Sequence, residues 1–134
     1  MAAVRVRRIG THAFTASNER GGHVRLGRVG EPGAFTPVEL LLAAAAGCVG
    51  ITAEDLVVRR TTPDAVVDVV AEDVRPVGAH ALDGVDIGLD LDLSGLDERA
   101  RAELAAVVRR AVEAVCTVTR TLKESTDVGL TIRG

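Results

Sequence analysis

Cys48 and Cys116 are the two cysteines of this 134-residue chain, and their types and settings are where its chemistry is most specific. A thiolate is a nucleophile, and an attacked oxidant can leave it as a sulfenic acid that closes to a disulfide with a second thiol. Cys48 ends the apolar run Leu40 to Cys48 (LLLAAAAGC), and Cys116 opens the stretch CTVTRTLK, just after a second amphipathic segment. Three readings of the pair stand open: small buried hydrophobes, a structural bridge, or a working redox couple. Free cysteine is among the most buried residue types. Cys48 also falls about three turns beyond the expected start of its helix, where the helix dipole lowers a thiol pKa little. Position alone therefore favours packing.

Other chemistries have less to stand on. His12, His23 and His80 are scattered, and no C-x-x-C or H-x-x-x-H pair offers a metal the paired ligands it needs. No G-x-S-x-G or phosphate-binding glycine loop is present. Arg5, Arg7 and Arg8 read as a solvated strand face, and Asp86, Asp90 and Asp92 as the polar side of another strand. No metal or other cofactor is expected. Phe14 and Phe35 are the only aromatic residues, and the net charge is −3. Nucleic-acid modules that stack bases on aromatic platforms or track a backbone with basic charge are therefore disfavoured.

The thiols need elements to position them. The length suits one domain, residues 1–134, large enough to bury a core without a metal or disulfide. The N-terminus MAAVRVRR has no apolar run behind it and does not read as a secretory signal. The longest apolar stretch, Leu40 to Ile51, is short for a bilayer span and reads as a buried helix. A cytoplasmic protein is the expectation, in which a purely structural disulfide is less favoured than a reactive pair.

Alternation over residues 2–8 predicts a strand, with a turn at Ile9 to Thr11, a second strand over His12 to Ser17, a hairpin turn at Gly21-Gly22 and a third strand over His23 to Leu26. The clearest helix start is Thr36-Pro37-Val38-Glu39: a threonine cap, a proline at the first helical position and a glutamate three residues after the cap. This helix should run from Pro37 to about Val58, apolar almost all round and so buried on most sides. Ala65 to Val74 and Val85 to Leu93 read as strands. Ser94 begins a second cap signature, with a helix over roughly Leu96 to Val115, further helical turns after Thr117, and a last strand at Val128, Leu130 and Ile132. Hairpins and non-alternating element order favour an α+β fold over a parallel α/β sheet.

The segment Phe35 to Cys48 (FTPVELLLAAAAGC) resembles the first cysteine motif of the OsmC/Ohr family, the osmotically inducible protein C and organic hydroperoxide resistance proteins. That motif has a Pro-x-Glu-Leu start, an alanine-rich helix and a cysteine eleven residues after the proline, the spacing of Pro37 and Cys48. Cys116 to Lys123 resembles the second cysteine motif. The resemblance spans about Val4 to Ile132 and implies an OsmC-like fold, with a central helix in an intertwined homodimer whose active site lies at the subunit interface. It implies a thiol peroxidase acting on organic or fatty hydroperoxides in oxidative stress defence. Cys48 would be the peroxidatic thiol and Cys116 the resolving one, with a dithiol reductant such as a lipoylated protein restoring both.

The chain departs from the family at one informative place. Hydroperoxide reductases carry a glutamate directly after the motif proline, paired with an N-terminal arginine that helps hold the cysteine as thiolate. Here Val38 takes that position, and Glu39 points about 100° away around the helix. Glu39 suits the capping box better than catalysis. Arg7, Arg8 and Arg20 are the arginine candidates, with Arg20 in the predicted turn. Without such a cation, a buried Cys48 should have a raised pKa. The pattern is closer to the OsmC-like subgroup than to dedicated hydroperoxide reductases. A second expectation is a non-catalytic OsmC-fold dimer that binds an apolar ligand or partner, its cysteines kept as packing.

Overall fold

Alternating and helical periodicities resolve into eight elements in a computed structural model, which describes residues 2–134. In chain order they are β1 (Arg5–Gly10), β2 (Ala13–Ser17), β3 (His23–Gly27), α1 (Pro37–Arg60), β4 (Val67–Val74), β5 (Gly84–Leu91), α2 (Glu98–Val115) and α3 (Thr117–Leu122). The fold is α+β with antiparallel strands, as expected. Contacts divide it into two compact units, the N-terminal one ending at Ala43 and the other spanning Ala44–Gly134, so the boundary falls within α1.

In the N-terminal unit, β1, β2 and β3 form a meander in which Arg7 pairs with Thr15 and Thr15 with Arg25. Side chains alternate across a sheet, so Arg5, Arg7, Thr15, Ser17, His23 and Arg25 share one face, while Val6, Arg8, Phe14, Ala16, Val24 and Leu26 share the other. The first turn comes later than the sequence suggests: β1 continues through Ile9 and Gly10, and the chain reverses at Thr11 and His12, whose φ is 56°. The second turn is set by Asn18, whose Oδ1 accepts from the N–H groups of Arg20 (3.0 Å) and Gly22 (2.9 Å). Gly21, at φ 86°, supplies the left-handed conformation there.

Helix α1 begins at the expected capping box. Glu39 N–H donates to Thr36 Oγ1 at 3.1 Å, and Thr36 N–H donates to Glu39 Oε1 at 2.9 Å. Two donors that the first turn leaves without partners are thus satisfied reciprocally. The helix is long and apolar enough to cross a bilayer by length and composition, a property it shares with core helices of globular proteins.

In the second unit, Ala45, Val49, Ala53 and Val57 form the buried stripe of α1, at the four-residue spacing that lines one helix face. Ala53 and Val57 pack against Leu104 and Val108 of α2, with Val67, Leu89 and Leu91 of the β4–β5 hairpin closing the cluster. The inward positions of that hairpin are the apolar half of its alternation. Asp68 faces Asp90, and Glu72 faces Asp86, on the other half.

Three expectations are corrected. Helix α1 is buried along one stripe and not on most sides: Ile51 is 79% exposed, because one chain supplies α2 and the hairpin against a single face only. The cap of α2 is Asp97, whose side chain accepts from Ala100 N–H at 2.8 Å, and not Ser94. Asp97 immediately precedes the first helical residue, whereas Ser94 sits in the turn that Asp92 Oδ1 holds through Ser94 N–H at 3.1 Å. No strand forms at Val128, Leu130 and Ile132, which are 91%, 86% and 88% exposed. Alternation prepares a segment for a sheet, but a strand exists only where an edge accepts its backbone hydrogen bonds.

Candidate functional site

The break between α2 and α3 builds the site. Cys116 closes α2, its N–H donating to Val112 O, and at φ −74°, ψ 95° it leaves the helical conformation for one residue before α3 begins. A new helix start exposes N–H groups with no intrahelical acceptor. Those of Thr117 and Val118 favour the Cys48 thiolate. The Cys116 side chain goes the other way from solvent and is completely buried.

Cys48 approaches from α1. It is half-buried, in contrast to the enclosure expected from its apolar run, and both thiols are free. Each of the two thiols acts on the other's ionisation. The hydrogen bond with Cys116 is the main cause raising the Cys48 thiol above its ordinary value. Burial and the charge of Cys116 add to it, and the Val118 and Thr117 N–H groups oppose it. Burial pushes the Cys116 thiol up as well. The Cys48 S–H, the Thr119 hydroxyl and N–H, and the Thr52 hydroxyl outweigh that and bring it below its ordinary value.

Two neighbours of the cysteines were not singled out from the sequence: Thr52 and Thr119. Each stands about one helical turn after a cysteine, and that spacing (Cys-x-x-x-Thr and Cys-x-x-Thr) was the available signal. Thr52 Oγ1 donates to Cys48 O at 2.7 Å, and Thr119 Oγ1 to Cys116 O at 3.3 Å. Glu39, nine residues before Cys48 in the chain, is engaged by Thr36 N–H. Arg20 is exposed at the tip of the β2–β3 turn, its N–H held by Asn18. Arg7 is on the polar face of the meander and Arg8 on the apolar face. Among the described residues no group of three or more His, Cys, Asp or Glu side chains is placed to hold a metal ion.

A groove of about 450 Å³ runs between α1 and β4, lined by Ala46, Gly47, Gly50, Ile51, Val67 and Val69 together with Glu54. Cys48 is not among the residues that line it.

A sheet meander, a long apolar helix, a β-hairpin and a second helix that ends in a cysteine facing a helical cysteine define a known class. The family profile for OsmC-like protein matches residues 30–131, and the chain belongs to that family. It is 40% identical over 129 residues to uncharacterised proteins of Mycobacterium tuberculosis and Mycobacterium bovis, covering 95% of this chain and 93% of each relative. Among solved structures, a hypothetical protein from Aquifex aeolicus superposes with a TM-score of 0.70 at 18% identity, over 95% of this chain and 90% of that one. The OsmC-like protein from Mycoplasma pneumoniae gives 0.63 at 16% identity, over 92% and 87%. A Psychrobacter arcticus protein described as an osmotic stress induced and detoxification response protein gives 0.57 at 16% identity, over 86% and 88%. At those identities the structures establish the shared fold.

Proposed function

We propose that this chain is a cysteine-based thiol peroxidase that reduces organic or fatty hydroperoxides to alcohols. The observation that carries the reading is the pairing of a half-buried thiol, Cys48, with an enclosed one, Cys116, each of which acts on the other's ionisation. A peroxide can reach Cys48 from solvent, while Cys116 is placed to meet only what forms on Cys48. The Cys48 sulfur attacks the O–O bond of the hydroperoxide, the oxygen adds to sulfur as sulfenic acid, and the alkoxide leaves and is protonated to the alcohol. The Cys116 thiolate then attacks the Cys48 sulfur. The S–S bond forms, the S–O bond breaks, and the hydroxide leaves as water after taking a proton. An external dithiol, a lipoylated protein being one candidate, returns both thiols by exchange. With Glu39 committed to Thr36, the donors left to Cys48 are the N–H groups of Thr117 and Val118.

The working form is a cytoplasmic homodimer in this reading. Exposed Ile51, Val128, Leu130 and Ile132 support a second copy, since apolar surface of that extent favours association. A role in oxidative stress defence belongs to this reading; the Psychrobacter arcticus protein of the same fold is described by osmotic stress and detoxification. The second reading, a binding protein for an apolar ligand, is favoured by the groove beside Gly47 and Gly50, which is apolar along most of its lining and separate from the thiols. Peroxide consumption with a dithiol donor separates the two. Cumene hydroperoxide should be consumed catalytically by the wild type and not by Cys48→Ser, whereas equal rates in both would remove the peroxidase reading.

A further inference from the structure

The meander gathers basic side chains that lie apart in the chain. Pairing sets Arg5 beside Ser17 and Ser17 beside His23 in one row, and Arg7 beside Thr15 and Thr15 beside Arg25 in the next. A strand repeats its face every second residue, so Arg8 falls on the other side while His23 and Arg25 join Arg5 and Arg7. The result is a sheet face with three arginines and a histidine at its corners and two hydroxyls along its middle strand. The four corner residues are exposed, and Thr15 and Ser17 are half-buried. None of the six is acidic. Glu31 covers Gly27, the next position of this face along β3. Among the described residues, however, the ion pairs are Arg75–Asp73 and Arg99–Glu103, so no carboxylate pairs with Arg5, Arg7 or Arg25. Like charges gathered without a counter-charge repel one another, a cost that an anionic partner removes.

We propose that this face docks an acidic segment of a partner protein, whose carboxylates pair with Arg5, Arg7 and Arg25. Such docking does not depend on the peroxidase reading. The planar fork of a guanidinium matches a carboxylate with two parallel hydrogen bonds. Alternate residues of a strand repeat about every 6.8 Å, so Arg5 and Arg7 match an extended segment with acidic residues at alternate positions. The Thr15 and Ser17 hydroxyls between the corners can donate to the same carboxylates. A nucleic acid or an anionic membrane fits this face less well. It has no aromatic side chain for a base to stack on and no apolar one to enter a bilayer, since Val6 and Phe14 lie on the opposite face. The whole chain carries 19 acidic residues against 16 basic ones. An extended polyanion therefore meets repulsion beyond the patch, whereas a short segment stays within the screening distance of about 8 Å at physiological salt.

The test is binding of a fluorescent octapeptide of alternating glutamate and serine to the full chain, followed by anisotropy, with oligothymidine and phosphatidylglycerol vesicles as competing probes. The peptide should bind at about 0.05 M salt and be released at about 0.3 M, where screening acts within about 6 Å. Arg7→Ser and Arg25→Ser should each weaken binding about threefold, and together about tenfold, the effect of losing exposed ion pairs. Arg109→Ser with Arg110→Ser, which removes the same charge from exposed positions of α2, should leave binding near wild type. NMR of the wild type needs no variant to fold: amide shifts on peptide addition should centre on Arg5, Arg7, Thr15, Ser17, His23 and Arg25. Absence of binding, shifts centred elsewhere, or an Arg7→Ser/Arg25→Ser protein that binds like the wild type would overturn the proposal. Tighter binding of oligothymidine or of the vesicles than of the peptide would overturn it in favour of a nucleic acid or a membrane.

Discussion

Removing the enclosed cysteine should make the other one more reactive. The largest influence raising the Cys48 thiol is its hydrogen bond with Cys116, and the Coulomb effect of the same residue adds to it. In Cys116→Ala both disappear, while the Val118 and Thr117 N–H donors that favour the Cys48 thiolate stay in place. Loss of one hydrogen bond involving a charged group is worth about 1.5 kcal/mol at the low end suited to sulfur, or about tenfold in thiolate at a fixed pH below the midpoint. A thiolate of lower pKa is intrinsically less nucleophilic, with a Brønsted slope of about 0.45. The net gain in alkylation at neutral pH is therefore about threefold. The assay is the pH dependence of iodoacetamide alkylation at Cys48, which is half-exposed and reachable. The midpoint should move down and the plateau rate should fall. A plateau that rises with an unmoved midpoint would mean that the small void at position 116 had only loosened access. A midpoint that stays or moves up would refute the account of how the two thiols act on each other.

Two further outcomes follow from the fold. Leu104 has no solvent exposure and packs against the Ala53 and Val57 stripe of α1, so Leu104→Ala should cost about 3 kcal/mol in urea unfolding. A loss under about 1 kcal/mol would mean that this cluster is not the core of the second unit. Glu39→Gln preserves the reciprocal hydrogen bonds of the capping box, so it should leave both stability and peroxide consumption near wild type. A tenfold or greater fall in turnover with unchanged unfolding would place Glu39 in the chemistry instead.

What the sequence disclosed, it disclosed through local rules. The Thr36–Glu39 box, the hairpin at Asn18 to Gly22 and the alternation of β5 each depend on residues a few positions apart, and each stands where it was expected. The same locality explains the misses. Ser94 and Asp97 both satisfy a cap pattern, and only the backbone path decides that Asp97 receives Ala100 N–H. Val128 to Ile132 carries a strand pattern, but the pattern does not contain the edge that would complete it. The buried stripe on α1 depends on α2 and the hairpin, which lie tens of residues onward. The site divides in the same way. Both cysteines were legible from type and setting, while Thr52 and Thr119 were not, because their effect on Cys116 arises only when α1 and the α2–α3 break come together.

The central claim is that Cys48 and Cys116 form one redox unit. It is tested most directly by exposing the reduced protein to one equivalent of cumene hydroperoxide and mapping its peptides by mass spectrometry without reduction. The account predicts loss of two hydrogens from the chain, an intramolecular Cys48–Cys116 disulfide, and recovery of both thiols with a dithiol. A Cys48 that remains free, or that proceeds to sulfinic acid while Cys116 stays reduced, would contradict it.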